Sequence, residues 1–194
     1  MIIGITGGIG SGKTIVCEIF KQLGIPVFNA DQVARDLMQN NQEVYDLLQA
    51  QFGETIFPLL GQFDKVHLSR LVFNNPDELS RLNSIVHPFV RNTFTTWKAN
   101  QTAPYILHEA AILIESGFNK LCDKVIVVEA PEDLRIQRVC ARDGKSTEDV
   151  VSIIQQQIPD EERRKHADYK IINNDISPLL PQVLTIHETL LANV

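Results

Sequence analysis

The chain is poor in several features that would direct it elsewhere. It carries three cysteines in 194 residues, Cys17, Cys122 and Cys140, odd in number and without metal-ligand spacing, so neither a disulfide scaffold nor a cysteine-rich metal site is expected. No stretch approaches the roughly 18 consecutive apolar residues of a membrane helix, so no membrane span is expected. Met1-Ile2-Ile3 lacks a basic segment, and its apolar run ends in Gly4 and Thr6 rather than in an apolar core, so no secretory leader is expected and the cytoplasm is the expected compartment. Internal repeats and low-complexity linkers are missing as well. The formal net charge of −6 argues against general nucleic-acid binding, which relies on positive potential, though one pocket of an acidic protein can still be basic.

What is present is ordinary globular material, 44% hydrophobic and 22% charged. Its length suits one domain with room for an inserted subdomain. Ile2–Thr6 reads as a buried parallel strand, and apolar residues then recur at helical spacing from Ile15 to Leu23 until Gly24 and Pro26 stop them. Pro26-Val27-Phe28, Tyr105–His108, the β-branched run Val125–Val128 and the weaker Tyr169–Ile172 supply four more strands. Pro131–Arg142, Ser146–Gln157 and Pro178–Leu191 read as helices. The long span between the second and third strands is mostly helical, with breaks near Asn40, Pro58, Pro76 and Pro88. Strands interleaved with helices imply an α/β fold, a parallel five-stranded sheet between helical layers. The expected division is a core of residues 1–33 and 101–194, with a lid at about 138–165, and a helical insert of residues 34–100.

Between the first strand and the first helix, Gly7-Gly8-Ile9-Gly10-Ser11-Gly12-Lys13-Thr14 matches G-x-x-x-x-G-K-[ST], the phosphate loop. Glycines let backbone amides converge on phosphate oxygens, and the helix N-terminus that follows favours an anion. Gly8, Ile9, Gly10, Ser11, Gly12, Lys13, Thr14 and Ile15 are therefore the expected nucleotide contacts, with Lys13 on the terminal phosphates and the Thr14 hydroxyl on Mg²⁺. The bland alternative is a glycine-rich turn that binds nothing. The guanine-reading N-K-x-D is missing, since Asn119-Lys120-Leu121-Cys122 ends in Cys, and D-x-x-G occurs nowhere, which argues against a regulatory GTPase.

Phosphoryl transfer also needs a carboxylate at the acceptor and cations around the migrating group. Asp31 follows the second strand at the sheet edge that carries the phosphate loop; its alternative role is a helix N-cap before Gln32–Met38. Arg135, Arg138 and Arg142 share one helical face, either a solvated stripe or part of a lid that hinges at Asp143–Ser146 and closes cations over phosphates. Glu109, ending the third strand, is a candidate Mg²⁺ ligand, direct or through water, or else a structural acid. Glu115 has no evident place.

Taken in order, these segments resemble the dephospho-CoA kinase family. The phosphate loop from Thr6, Asn29-Ala30-Asp31-Gln32-Val33-Ala34-Arg35, His87-Pro88-Phe89-Val90-Arg91, Ile112–Gly117, Arg138 with Arg142-Asp143, Gln157, and Ala167-Asp168-Tyr169 leading to Asn173 all have counterparts there. The resemblance implies transfer of the γ-phosphoryl group of ATP to the ribose 3′-hydroxyl of dephospho-CoA. It makes Asp31 the catalytic carboxylate, with Lys13, Arg138 and Arg142 as catalytic cations, and adds Arg142 and Asn173 to the ATP contacts. Asp31, Arg35, His87 and Arg91 would hold dephospho-CoA; for His87, beside Pro88, a structural turn is the competing role. Metal and partners follow: Mg²⁺ at Thr14 and Glu109, a small-molecule substrate, no nucleic acid, no membrane, and a monomer or weak homo-oligomer. Three departures stand out. Asn29 replaces the first acid of the family's D-A-D, Glu109 and Ala111 replace its Asp and Pro, and Ile114 replaces a Phe. Two rivals remain: a kinase of the same core acting on another small acceptor, and a nucleotide-gated module without catalysis.

Overall fold

The structure, a computed structural model, describes residues 1–53, 68, 71–72 and 75–193. Cα proximity divides the chain into two units, residues Met1–Asn29 with Gln101–Val194, and Ala30–Asn100.

The first unit is a sheet of five parallel strands in the order β2-β3-β1-β4-β5. The strands are β1 (Ile2–Thr6), β2 (Val27–Asn29), β3 (Ile106–Glu109), β4 (Lys124–Glu129) and β5 (Tyr169–Ile172). All five sequence-predicted strands are present. Two shift by one residue, because the parallel ladder runs Val27↔Leu107, Phe28↔His108 and Asn29↔Glu109. Asn29 and Glu109 are thereby the last residues of adjacent strands. β1 lies between β3 and β4, and its Ile3 and Ile5 are fully buried, as expected for a central parallel strand.

α1 (Lys13–Gln22) and α8 (Leu179–Leu191) pack together, and both contribute to the core that buries Ile3, Ile5, Ile126 and Val128. Val16, Phe20, Val183, Ile186 and Leu190 fill that layer. Each such side chain contributes roughly 1.5–3 kcal/mol relative to exposure. Gly4 serves close packing rather than turning: a Cβ there would lie 2.7 Å from Leu113 Cδ2 and 2.9 Å from Cys122 Sγ. After β4 come α5 (Glu132–Asp143), α6 (Thr147–Gln156) and α7 (Asp160–Lys165). Gly144, in the left-handed region at φ 65°, ends α5, and Ser146 caps α6 by accepting from Asp149 N at 3.1 Å. α7 was not evident from sequence, since six residues of D-E-E-R-R-K carry almost no apolar period.

The second unit holds α2 (Ala30–Asn40), α3 (Gln42–Phe52) and α4 (Pro76–Ala99). α4 packs against α2 and α3, and the unit buries Val44, Leu48, Leu82, Val86, Val90 and Phe94. Asn41 and Asn75 cap the starts of α3 and α4, so the expected breaks at Asn40 and Pro76 are real helix boundaries. The break at Pro88 is not: Pro88 sits inside α4, where it lacks the N–H for the Ser84 carbonyl yet the helix continues to Ala99. Asp31 is not a helix cap either. Ala30 is already helical, and Asp31 occupies the first turn of α2. Pro58 lies outside the described residues.

Candidate active site

The phosphate loop runs from the end of β1 to α1. Gly12 precedes α1 at φ 92°, a conformation a side chain resists, and α1 begins without a side-chain cap. Its first-turn amides are therefore donors suited to an anion. Lys13 Nζ donates to Gly7 O at 2.9 Å, folding the lysine back over the loop. Thr14 and Ile15 are exposed on the first turn of α1.

Three side chains brace the loop from the C-terminal elements. Asn173, 6% exposed just past β5, donates from Nδ2 to Ser11 O at 2.8 Å. Arg138 donates to Gly10 O at 3.4 Å and to Asn173 Oδ1 at 3.2 Å, and pairs with Asp175. Gln157 Oε1 accepts from Ile9 N at 2.8 Å. Arg138 and Asn173, singled out from sequence, are thus brought to the loop. Arg142 is not: its side chain is 63% exposed and grips the carboxylate of its neighbour Asp143 at 2.7 and 2.8 Å, a pairing that raises the Arg142 pKa and lowers that of Asp143. The arginine face of α5 is therefore graded, from Arg135 buried at 3% through Arg138 to exposed Arg142.

At the adjacent strand ends, Glu109 is 5% exposed and its Oε2 accepts from Asn29 Nδ2 at 2.7 Å. Register places Glu109 beside Ile5, one residue before Thr6, and Thr6 Oγ1 donates to Ala111 O at 3.3 Å. The buried Cys17 thiol has its pKa pushed up by burial and then by the negative charge of Glu109, partly countered by Lys13. The sequence names Asn29 only as a departure and Glu109 as a candidate Mg²⁺ ligand or structural acid; their pairing comes from the ladder. His108, just before Glu109, lies between Phe28 and Phe118 with ring centroids at 5.3 and 3.7 Å. Burial holds its pKa down, to about 3, so it stays neutral. Glu115 accepts from Ile158 N at 3.4 Å, tying the segment after β3 to the start of the α6–α7 connection.

In the second unit, Arg35 Nε donates to Asp31 O at 3.2 Å, one turn back along α2. His87 and Arg91 share a face of α4 and line a groove of about 340 Å³ with Ser80, Asn83, Ser84 and Pro88. Burial, and then the charge of Arg91, lowers the His87 pKa. Among the described residues no helix is long and apolar enough to cross a membrane.

A parallel 2-3-1-4-5 sheet with a phosphate loop after β1 and lysine folded into it defines a P-loop kinase fold. A shikimate kinase from Acinetobacter baumannii shares that fold with a TM-score of 0.56 at 19% identity, over 99% of this chain and 93% of that one. The chain belongs to the dephospho-CoA kinase family, whose model matches residues 1–178. A dephospho-CoA kinase from Fusobacterium nucleatum is 36% identical over 191 residues, 98% of each chain, and one from a gamma-proteobacterium is 37% identical over 188, covering 96% of this chain and 95% of that. Among solved structures, a Thermus thermophilus protein superposes with a TM-score of 0.86 at 34% identity, over 100% of this chain and 97% of that one. A Campylobacter jejuni dephospho-CoA kinase does so at 0.68 and 26%, over 100% and 98%.

Proposed function

We propose that the chain phosphorylates dephospho-CoA at the expense of ATP, giving coenzyme A and ADP, with the acceptor oxygen being the ribose 3′-hydroxyl. Membership in the family and relatives of that name along nearly the whole chain support the reaction. The observation that carries the phosphate end is the loop itself: Gly12 left-handed, α1 uncapped by a side chain, and Lys13 donating to Gly7 O.

In this reading the amides of residues 8–13 and Lys13 hold the β- and γ-phosphates, while Arg138 and Asn173 keep the loop and the region of the base in place. Ile15 lies against the bound nucleotide. Asp31 orients the 3′-hydroxyl and takes its proton as the oxygen attacks the γ-phosphorus. Arg35, His87 and Arg91 hold dephospho-CoA, the half-buried neutral His87 and the cation Arg91 suiting a polar, anionic ligand. Arg142 releases Asp143 and neutralises charge as the lid of residues 138–165 closes.

Mg²⁺ suits the donors: the Thr14 hydroxyl on α1 and a buried Glu109 carboxylate at the neighbouring strand end are hard oxygen ligands. When bound, the ion would neutralise charge on the phosphates. Glu109 would hold it directly or through water, with Asn29 fixing the carboxylate. In this reading the protein works in the cytoplasm, as a monomer or weak homo-oligomer.

The test is ADP release from Mg-ATP with dephospho-CoA, adenosine, AMP or shikimate as acceptor. Turnover that needs dephospho-CoA, with coenzyme A as product, is expected. Turnover with another acceptor instead overturns the substrate but keeps the kinase core.

A further inference from the structure

Two guanidinium groups lie buried against the phosphate loop. Arg135 on α5 is 3% exposed and Arg163 on α7 is 2% exposed. A Cβ built on Gly8 would fall 1.8 Å from Arg135 Nη1 and 3.6 Å from Arg163 Nη1, so both cations sit against the loop backbone at that glycine. Arg135 Nη1 donates to the Asp160 carboxylate at 3.3 Å, and Arg163 Nη1 pairs with the same oxygen. Arg163 Nη2 also donates to Ile158 O at 3.0 Å. Glu132 is 3.8 Å from Arg135 Nη2, but its side chain is 59% exposed and water-screened. The Nε atoms of both arginines are buried and, among the described residues, have no hydrogen-bond partner.

The charge count is uneven. Two buried cations share one carboxylate, Asp160, whose own side chain is 38% exposed. Burying charge without full compensation costs free energy, and in a folded protein that cost persists where another term offsets it. A polyphosphate held by the loop is such a term, because its negative charge acts at short range on buried cations packed at Gly8.

We propose that Arg135 is a positioning residue for the triphosphate, acting through the loop: with Arg163 it supplies positive potential at Gly8, and Asp160 sets how much of that potential reaches the nucleotide. Arg135 touches the loop at Gly8, and Gln157, three residues before Asp160 on the same connection, fixes the next amide along. The inference rests on the phosphate-loop role given above, and extends it to residues that do not contact the ligand.

The opposed signs of Arg135 and Asp160 make the proposal testable. Arg135→Met keeps the length and loses the charge; Asp160→Asn breaks the same ion pairs but removes the opposing charge. Affinities for Mg-ATP and ADP would be measured by titration calorimetry without acceptor, with urea unfolding alongside. Arg135→Met should weaken Mg-ATP binding about tenfold, and ADP less, with most of the loss restored by Arg135→Lys. Asp160→Asn should tighten Mg-ATP binding about threefold although it destabilises the fold. A purely structural brace predicts that both substitutions weaken ATP alike, and that outcome, or unchanged affinity in either variant, overturns the proposal. If Arg135→Met does not fold, Asp160→Asn decides alone, since weaker or equal ATP binding there has the wrong sign. Turnover of the parent protein with dephospho-CoA, assayed in parallel, reports on the substrate separately: ATP affinities that respond as expected in a protein inactive on dephospho-CoA would sustain this inference and sink that one.

Discussion

Asn29 Nδ2 donates to Glu109 Oε2 at 2.7 Å, joining the last residues of two neighbouring parallel strands. The amide is compatible with a buried carboxylate where a second acid would repel it. The two departures from the family pattern, Asn for Asp at one strand end and Glu for Asp at the other, are thus a pair in contact. The longer acid reaches a partner that donates to it.

Asn29→Asp should place like charges together in a buried site and lower stability at neutral pH by roughly 1–3 kcal/mol. Mg²⁺ should offset that repulsion and so stabilise the variant more than the parent. Urea midpoints at neutral pH, with and without Mg²⁺, check this; a variant as stable as the parent in both conditions would show that the two side chains do not repel.

Asp31→Asn should bind Mg-ATP and dephospho-CoA with near-parental affinity yet lose most turnover, by a factor of about 10² or more. Asp31 lies in the first turn of α2, one residue past its start, so loss of the N-cap residue is not available as an explanation. A fully active variant would deny it the role of base.

Arg138 and Arg142 should separate kinetically. Arg138 holds Gly10 O and Asn173, so Arg138→Ala should raise the KM for ATP. Among the described residues Arg142 pairs with its neighbour Asp143 alone, so Arg142→Ala should leave ATP affinity near parental and lower kcat by about 10³-fold, by analogy with arginine fingers. Equal turnover in the Arg142 variant and the parent would remove it from the mechanism.

Gly12→Ala should abolish nucleotide binding. The residue is left-handed at φ 92°, and its Cβ would lie 2.0 Å from Asn173 Nδ2, breaking the Asn173–Ser11 bond. A loss of at least about 1 kcal/mol in stability should accompany it.

His108 should make the fold acid-sensitive. Its folded pKa is lowered to about 3, below the unfolded value near 6.5, so the unfolded chain takes the proton first. Stability is then full above about pH 6.5 and is lost as pH falls toward about 3, on the order of 3–5 kcal/mol across that window. His108→Phe, able to stack between Phe28 and Phe118, should flatten the urea midpoint between pH 6.5 and pH 4. A variant that follows the parent's slope would place the sensitivity elsewhere.

Much of this molecule is written in local pattern. The phosphate loop, its strand and helix, and the β-branched run of β4 are contiguous segments whose geometry follows from glycine freedom and apolar period. Asn41, Asn75 and Ser146 cap helices by the same local chemistry. Local pattern misled at Pro88, because the remaining hydrogen bonds of a 24-residue helix and its packing on α2 and α3 outweigh one missing N–H. It also left open whether Asp31 caps a helix, since nothing short of the β2–β3 ladder fixes where the second strand stops and α2 begins.

The residue types at the site were set by the sequence alone: lysine and threonine closing the glycine loop, an acid after each of two strands, arginines at helical spacing. Their partners were decided by the tertiary structure. Asn29 and Glu109 lie 80 positions apart, Arg138 and Asn173 35 apart, and Arg135 and Asp160 25 apart. Whether an arginine on one helical stripe is buried against a loop or exposed beside its neighbour depends on what packs above it. A chain pattern carries the period of the stripe, but only long-range packing removes water from one end of it and leaves the other end solvated.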